Sequence, residues 1–204
     1  MKHALPKIYP LTDTVVSGLS HAEQVALFAD AGATLLQLRA KYAPALHFYE
    51  EAKAALEIAR ARGVELIIND RVDIALALGL GVHLGQDDLP PEAARRLLGD
   101  DAIIGYSTHS LPQILEASQL PVDYVALGPV FQTSTKTDTW PVVGLEGLRT
   151  AKKALGNLPL VAIGGISPAN TADVFAAGAD AVAMISGLWS GPRDPSAALR
   201  TLLT

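Results

Sequence analysis

Two carboxylates, Asp70 and Asp88, each close an apolar run of the chain, and that placement lets a divalent cation and a phosphorylated substrate share one site. Magnesium takes one or two carboxylates and completes its shell with water and phosphate oxygens. Both residues also have commonplace uses. Asp70 can pair with Arg71, and Asp88 can cap a helix that starts near Pro90.

Gln37, Arg39 and Lys41 form a second cluster. Spaced two apart at the end of another apolar run, they point to one side if the strand continues through them. Arg39 offers a fork for phosphate oxygens, Lys41 a mobile point charge, and Gln37 an amide that can read the edge of a heterocycle. A solvated rim with a surface ion pair is the competing reading. Thr133-Ser134-Thr135-Lys136 places hydroxyls beside one ammonium, as a loop closing over phosphate needs, although such runs are also ordinary loops. Ile163-Gly164-Gly165-Ile166 and Ile185-Ser186-Gly187 complete the set: glycine lets a backbone N–H approach a phosphate closely, or simply allows a tight turn.

The five histidines make no metal constellation. His3, His21 and His47 fall in the tail or on helices, His83 reads as a hydrogen-bonded residue inside a strand, and His109 as one that orients the turn after Ser107. Trp140 and Trp189 read as packing or loop anchors.

These residues sit at the ends of eight short apolar runs: Ile8–Thr12, Thr34–Arg39, Glu65–Asp70, Val82–Gly85, Ile103–Thr108, Tyr124–Val130, Leu160–Gly164 and Ala181–Ser186. Helix-patterned stretches separate them, with start signals at Ser20-His21-Ala22-Glu23, Ser110-Leu111-Pro112 and Ser167-Pro168. A strand and a helix repeating about every 25 residues imply a parallel sheet. Eight such units close a (β/α)8 TIM barrel, here expected as a single α/β domain over 1–204 with a short tail over 1–7. No glycine-rich nucleotide turn follows the first run, which argues against an open doubly wound sheet. In a barrel the third and fourth strands are neighbours, so Asp70 and Asp88 would meet at the C-terminal mouth, where barrel enzymes hold their active sites.

Composition narrows the function further. Half of the 204 residues are hydrophobic, 18% are charged, cysteine is absent and the formal net charge is -5. Thiolate chemistry and disulfides are excluded. Lys and Arg are dispersed, which argues against nucleic-acid and membrane-surface partners, and no apolar run approaches membrane-spanning length. The expectation is a cytoplasmic protein whose partners are small phosphorylated molecules.

Over nearly the whole chain the sequence resembles the thiamine-phosphate synthase family. The resemblance rests on Gln37-Leu38-Arg39-Ala40-Lys41, Ile67-Ile68-Asn69-Asp70-Arg71-Val72-Asp73, Val82-His83-Leu84-Gly85-Gln86-Asp87-Asp88, Ser107-Thr108-His109, Gly128-Pro129-Val130-Phe131, Thr133 to Lys136 and Ile163-Gly164-Gly165-Ile166. It implies a transferase that joins 4-amino-2-methyl-5-(diphosphomethyl)pyrimidine to a thiazole phosphate, or its carboxylated form, by a dissociative, Mg²⁺-assisted reaction. By that resemblance Asp70 and Asp88 hold Mg²⁺, and Gln37, Arg39, Lys41, Asn69, Ser107 and Lys136 bind the pyrimidine diphosphate. Thr133, Thr135, Gly165, Ile185 and Ser186 bind the thiazole phosphate, and Arg39, Lys41, Ser107 and Lys136 carry catalysis. A homodimer is the family expectation. The chain departs from the family pattern at Leu78-Gly79-Leu80-Gly81, at Tyr106 and at Thr137-Asp138-Thr139-Trp140-Pro141. A thiazole tautomerase of the same superfamily would need neither metal nor diphosphate residues, and a regulatory barrel that binds a phosphorylated ligand would show them eroded.

Overall fold

Strands and helices alternate as the apolar runs predict. The computed structural model describes residues 5–133, 140–189 and 194–204. β1 (Ile8–Thr12) leads through α1 (Thr14–Ser17) and α2 (His21–Asp30) to β2 (Leu35–Leu38). Then follow α3 (Ala45–Arg62), β3 (Glu65–Asn69), α4 (Val72–Leu78), β4 (Gly81–Leu84), α5 (Pro91–Leu98), β5 (Ile104–Thr108), α6 (Leu111–Ala117) and β6 (Tyr124–Leu127). The remainder is α7 (Gly144–Leu155), β7 (Leu160–Ile163), α8 (Thr171–Ala176), β8 (Ala181–Met184), α9 (Ser186–Trp189) and α10 (Pro195–Leu203). The strands pair in sequence order, all parallel, and β8 pairs back onto β1, so the sheet closes as a (β/α)8 barrel.

Both faces of this sheet are buried, which explains why the strands read as continuous apolar runs. The period of two still sorts them: Ile8, Leu36, Leu38, Leu66 and Ile68 pack outward under the helices, whereas Tyr9, Leu11, Leu35, Ile67, Tyr124 and Val161 fill the interior. The interior is therefore a packed core rather than a pore. One step nearer the mouth the inward positions diverge. On β2 to β5 they are Gln37, Asn69, His83 and Ser107, and toward the ends of β7 and β8 they are Ile163 and Ile185. The mouth thus has a polar half and an apolar half.

Element ends differ from the sequence reading in instructive ways. β2 stops at Leu38, leaving Arg39 in the loop. β6 stops at Leu127, because the chain turns at Gly128-Pro129 and proline brings no N–H to the ladder. β8 ends at Met184 since α9 begins at Ser186. The capping box forms as expected, with Glu23 N donating to Ser20 Oγ at 3.2 Å and Ser20 N donating to Glu23 Oε2 at 2.8 Å. Ser110 caps α6. Ser167 does not start a helix: its N–H donates to Asn170 Oδ1 at 2.8 Å, and α8 begins only at Thr171. Part of the expected tail belongs to the barrel, since Leu5 packs on the interior cluster and the carbonyl of Lys7 accepts from Val182 N at 2.7 Å. Among the described residues no helix is long and apolar enough to cross a membrane.

Candidate active site

Asp70 follows β3 in the left-handed conformation, φ 66°, a setting that a non-glycine residue adopts only when its surroundings hold it there. Its own N–H donates to His83 O at 2.8 Å, which ties that turn to β4. Asp88 Oδ2 accepts from Gly85 N at 2.6 Å, so its carboxylate closes the β4–α5 turn. Neither residue takes its commonplace role. Arg71 pairs with Asp73, and α5 begins behind Pro90 with no side-chain cap. Burial first, and then the neighbouring charge of Asp70, push the Asp88 carboxyl above its ordinary range, while Lys41 forms an ion pair with Asp70. Two adjoining acids, one of them reluctant to ionise, leave room for further positive charge.

Arg39 is 9% exposed and forms an ion pair with Asp13. Asp13 is itself fixed: Oδ1 accepts from Val15 N at 3.0 Å and Val16 N at 3.1 Å, capping α1, and its N–H donates to Gln24 Oε1 at 3.0 Å. Among the described residues Arg39 Nε has no partner, a buried donor still to be satisfied. Gln37 points into the barrel, where Nε2 donates to Tyr9 Oη at 3.0 Å and, among the described residues, Oε1 is left as an unpaired buried acceptor. Gln37, Arg39 and Lys41 therefore do not form the one-sided comb that strand alternation predicts. Because β2 ends before Arg39, each of the three has its own anchor, on β1, the β1–α1 turn and the β3–α4 turn respectively. Arg39, Lys41, Asn69, Asp70, Asp88 and Ser107 all border one cavity of about 460 Å³.

The apolar half forms a second, narrower recess bordered by Thr133, Ile163, Gly165, Ile185, Ser186 and Gly187. Gly165 has φ 67°, and a Cβ there would lie 2.6 Å from Gln132 O, so the turn itself requires glycine. Asn170 Nδ2 holds the Gly165 carbonyl at 3.1 Å. On the rim Trp140 lies flat on His109, with centroids 4.6 Å apart and planes 6° apart, and His109 Nδ1 bonds Gly128 O at 2.6 Å. Ser107, His109 and Trp140 border both recesses and so mark their seam. Ser134, Thr135 and Lys136 lie outside the described residues.

Several participants escaped the sequence reading. Asp13 directly follows the first apolar run, but no spacing rule ties it to Arg39. Tyr9 and Tyr124 look like core aromatics, and only their inward phase, shared with Leu11 and Ala126, marks them as interior. Trp140 is a seam residue rather than a simple anchor.

A family profile described as thiamine monophosphate synthase matches residues 8–188. The chain belongs to this family. Individual members of the thiamine-phosphate synthase family are similar to it over almost its whole length. The thiamine-phosphate synthase of Albidiferax ferrireducens is 44% identical over 196 residues, covering 95% of this chain and 89% of that protein. That of Pelotomaculum thermopropionicum is 45% identical over 197 residues, covering 96% and 89%. The solved thiamine phosphate pyrophosphorylase of Pyrococcus furiosus superposes with a TM-score of 0.85 at 36% identity, covering 96% of this chain and 93% of that one. The chain is accordingly an enzyme of the alkyl-transferase class in thiamine biosynthesis, with thiamine-phosphate synthase function.

Proposed function

We propose that the chain, folded as one barrel unit, condenses 4-amino-2-methyl-5-(diphosphomethyl)pyrimidine with 4-methyl-5-(2-phosphoethyl)thiazole or its carboxylated form, releasing pyrophosphate. The observation that carries this reading is the divided mouth: an acid- and cation-lined cavity meets a smaller recess at a seam formed by Ser107, His109 and Trp140. A carbon transferred from a diphosphate to an acceptor must cross such a seam.

The polar cavity takes the pyrimidine diphosphate. Arg39 Nε, the orphaned donor, and the ammonium of Lys41 meet its oxygens together with Ser107 and Lys136, while Asn69, which borders the cavity, and Gln37, whose side chain is buried outside its lining, offer polar atoms to the heterocycle. As the C–O bond to the leaving group lengthens, charge grows on that group, and donors already fixed in position stabilise it without reorganising. The 4-amino group of the pyrimidine feeds electrons toward the methylene carbon, so no enzymic nucleophile is needed. The thiazole nitrogen then captures that carbon across the seam. Its phosphate rests against Thr133, Thr135, Gly165, Ile185 and Ser186.

Asp70 and Asp88 suit Mg²⁺ as two oxygen donors on adjacent strand ends, and burial together with the neighbouring charge of Asp70 raises the Asp88 carboxyl. When bound there, Mg²⁺ would supply Lewis-acid stabilisation of the departing diphosphate. The partners in this reading are small phosphorylated substrates, with a homodimer as the assembly.

Thermal unfolding with pyrophosphate tests the cavity directly. With Mg²⁺ present, pyrophosphate at about a hundred times its Kd should stabilise the protein by about 2.7 kcal/mol. EDTA should remove most of that gain. Equal stabilisation with and without Mg²⁺, or none in either, would count against the assignment of Asp70 and Asp88.

A further inference from the structure

A continuous chain of hydrogen bonds crosses the barrel interior beneath the mouth. Gln37 Nε2 lies 3.0 Å from Tyr9 Oη, Tyr9 Oη 3.0 Å from Tyr124 Oη, Tyr124 Oη 2.9 Å from His83 Nδ1, and His83 Nε2 2.8 Å from Ser107 Oγ. Five strands contribute one residue each. The two tyrosine rings meet edge to face with centroids 6.1 Å apart, and the imidazole stacks on Tyr124 at 5.5 Å. Gly105 makes the crossing possible: a Cβ on that residue would lie 2.1 Å from Tyr124 Cζ, 2.3 Å from its Oη and 2.5 Å from His83 Nδ1. Any side chain at 105 would occupy the space of the Tyr124–His83 bond.

Counting protons gives the chain a direction. An amide nitrogen only donates, so Tyr9 Oη accepts from Gln37 and must place its single proton elsewhere. Tyr124 Oη is its remaining partner, and a buried hydroxyl that donated to nothing would be costly. Tyr124, having accepted from Tyr9, then donates to His83 Nδ1. The imidazole is thereby neutral with its proton on Nε2, where it donates to Ser107 Oγ. Burial raises both phenols above their ordinary range, which keeps them protonated throughout.

We propose that this directed chain, with Tyr9, Tyr124 and His83 as positioning residues, turns the Ser107 hydroxyl into an obligate donor at the seam. His83 donates to one of the two lone pairs of Ser107 Oγ and so makes no claim on the hydroxyl proton, which faces the cavity and meets an oxyanion there. The opposite polarity, reached by turning the Gln37 amide over, would spend the Ser107 proton on His83 and present a lone pair to an anion. The same chain fixes the Gln37 amide, linking the two ends of the pyrimidine diphosphate site through the floor of the barrel. This inference rests on the proposed contact between Ser107 and the diphosphate.

Nitrogen-15 NMR of histidine-labelled protein reads the polarity directly, with His83→Gln identifying the resonance. The neutral Nε2–H tautomer is expected in the wild type, and the Nδ1–H tautomer would overturn the proposal even if every variant folded poorly. Kinetics supply the second reading. Tyr124→Phe should lower kcat/KM for the pyrimidine diphosphate by about tenfold, as loss of one oriented hydrogen bond does. Adding Ser107→Ala to Tyr124→Phe should cost less than Ser107→Ala costs alone, because the two act on one contact. Fully additive losses would show that Tyr124 serves the core and not Ser107, and would also overturn the proposal. Wild-type protein that makes no thiamine phosphate yet shows the Nε2–H tautomer would fault the substrate assignment and leave the polarity of the chain intact.

Discussion

Replacing Asp13 with alanine strands the guanidinium of Arg39 in a site where that residue is 9% exposed. The ion pair joins side chains that are 10% and 8% exposed, so water can replace the lost carboxylate only poorly. Removing one partner of such a pair costs about 3–5 kcal/mol. Asp13 also caps α1 through Val15 N and Val16 N, and a lost cap adds about 1 kcal/mol. The sum, about 4–6 kcal/mol, corresponds at this chain length to a fall in Tm of about 8–24 °C. Thermal unfolding followed by circular dichroism measures it. Asp13→Asn keeps an oxygen for the cap while discarding the charge, and should fall between wild type and Asp13→Ala. Asp13→Ala combined with Arg39→Met removes the stranded charge and should recover much of the loss. A fall below about 3 °C in Asp13→Ala, which corresponds to about 1 kcal/mol, would refute the reasoning, because the pair would then behave as an exposed one.

Three further outcomes follow from the geometry. Gly165→Ala places a Cβ against Gln132 O in a left-handed turn, and should destabilise the fold by about 1–3 kcal/mol in urea unfolding while raising KM for the thiazole phosphate. Burial holds the His21 imidazole below its ordinary value near 6.5, so the folded state binds fewer protons than the unfolded chain in the window beneath that value. Stability should be fully present above about pH 6.5 and decline as pH falls toward the lowered value, a slope that His21→Gln should flatten in Tm against pH. Trp140→Ala should raise KM for the thiazole phosphate several-fold with little change in Tm, since the ring stacks on His109 at the rim and is 45% exposed, and Trp140→Phe should restore most of the affinity.

The fold was legible because a parallel barrel writes itself as repeated apolar runs, and all eight runs became strands. The strand-end acids were legible for the same reason: Asp70 and Asp88 could be placed at one mouth once β3 and β4 were neighbours. What one sequence hides is the partner of each polar group. Arg39 reads as a rim cation and is instead locked to Asp13, twenty-six residues away, because β2 ends one residue early and the side chain turns toward β1. Tyr9 and Tyr124 carry a hydroxyl that hydropathy counts as core, so the chain from Gln37 to Ser107 emerges only when five strands are closed into a ring. Ser167 shows the local limit. Its Ser-Pro pattern suits a helix start, yet Asn170 captures its N–H and delays the helix to Thr171.

The most direct test of the central claim is formation of thiamine phosphate from the pyrimidine diphosphate and thiazole phosphate, measured with Mg²⁺ or EDTA in wild type and Asp88→Asn. The account predicts one pyrophosphate released per thiamine phosphate, dependence on Mg²⁺, and a fall of at least a hundredfold in the variant, about 2.7 kcal/mol of lost transition-state stabilisation. Product formed at an undiminished rate in EDTA, or by Asp88→Asn, would contradict it.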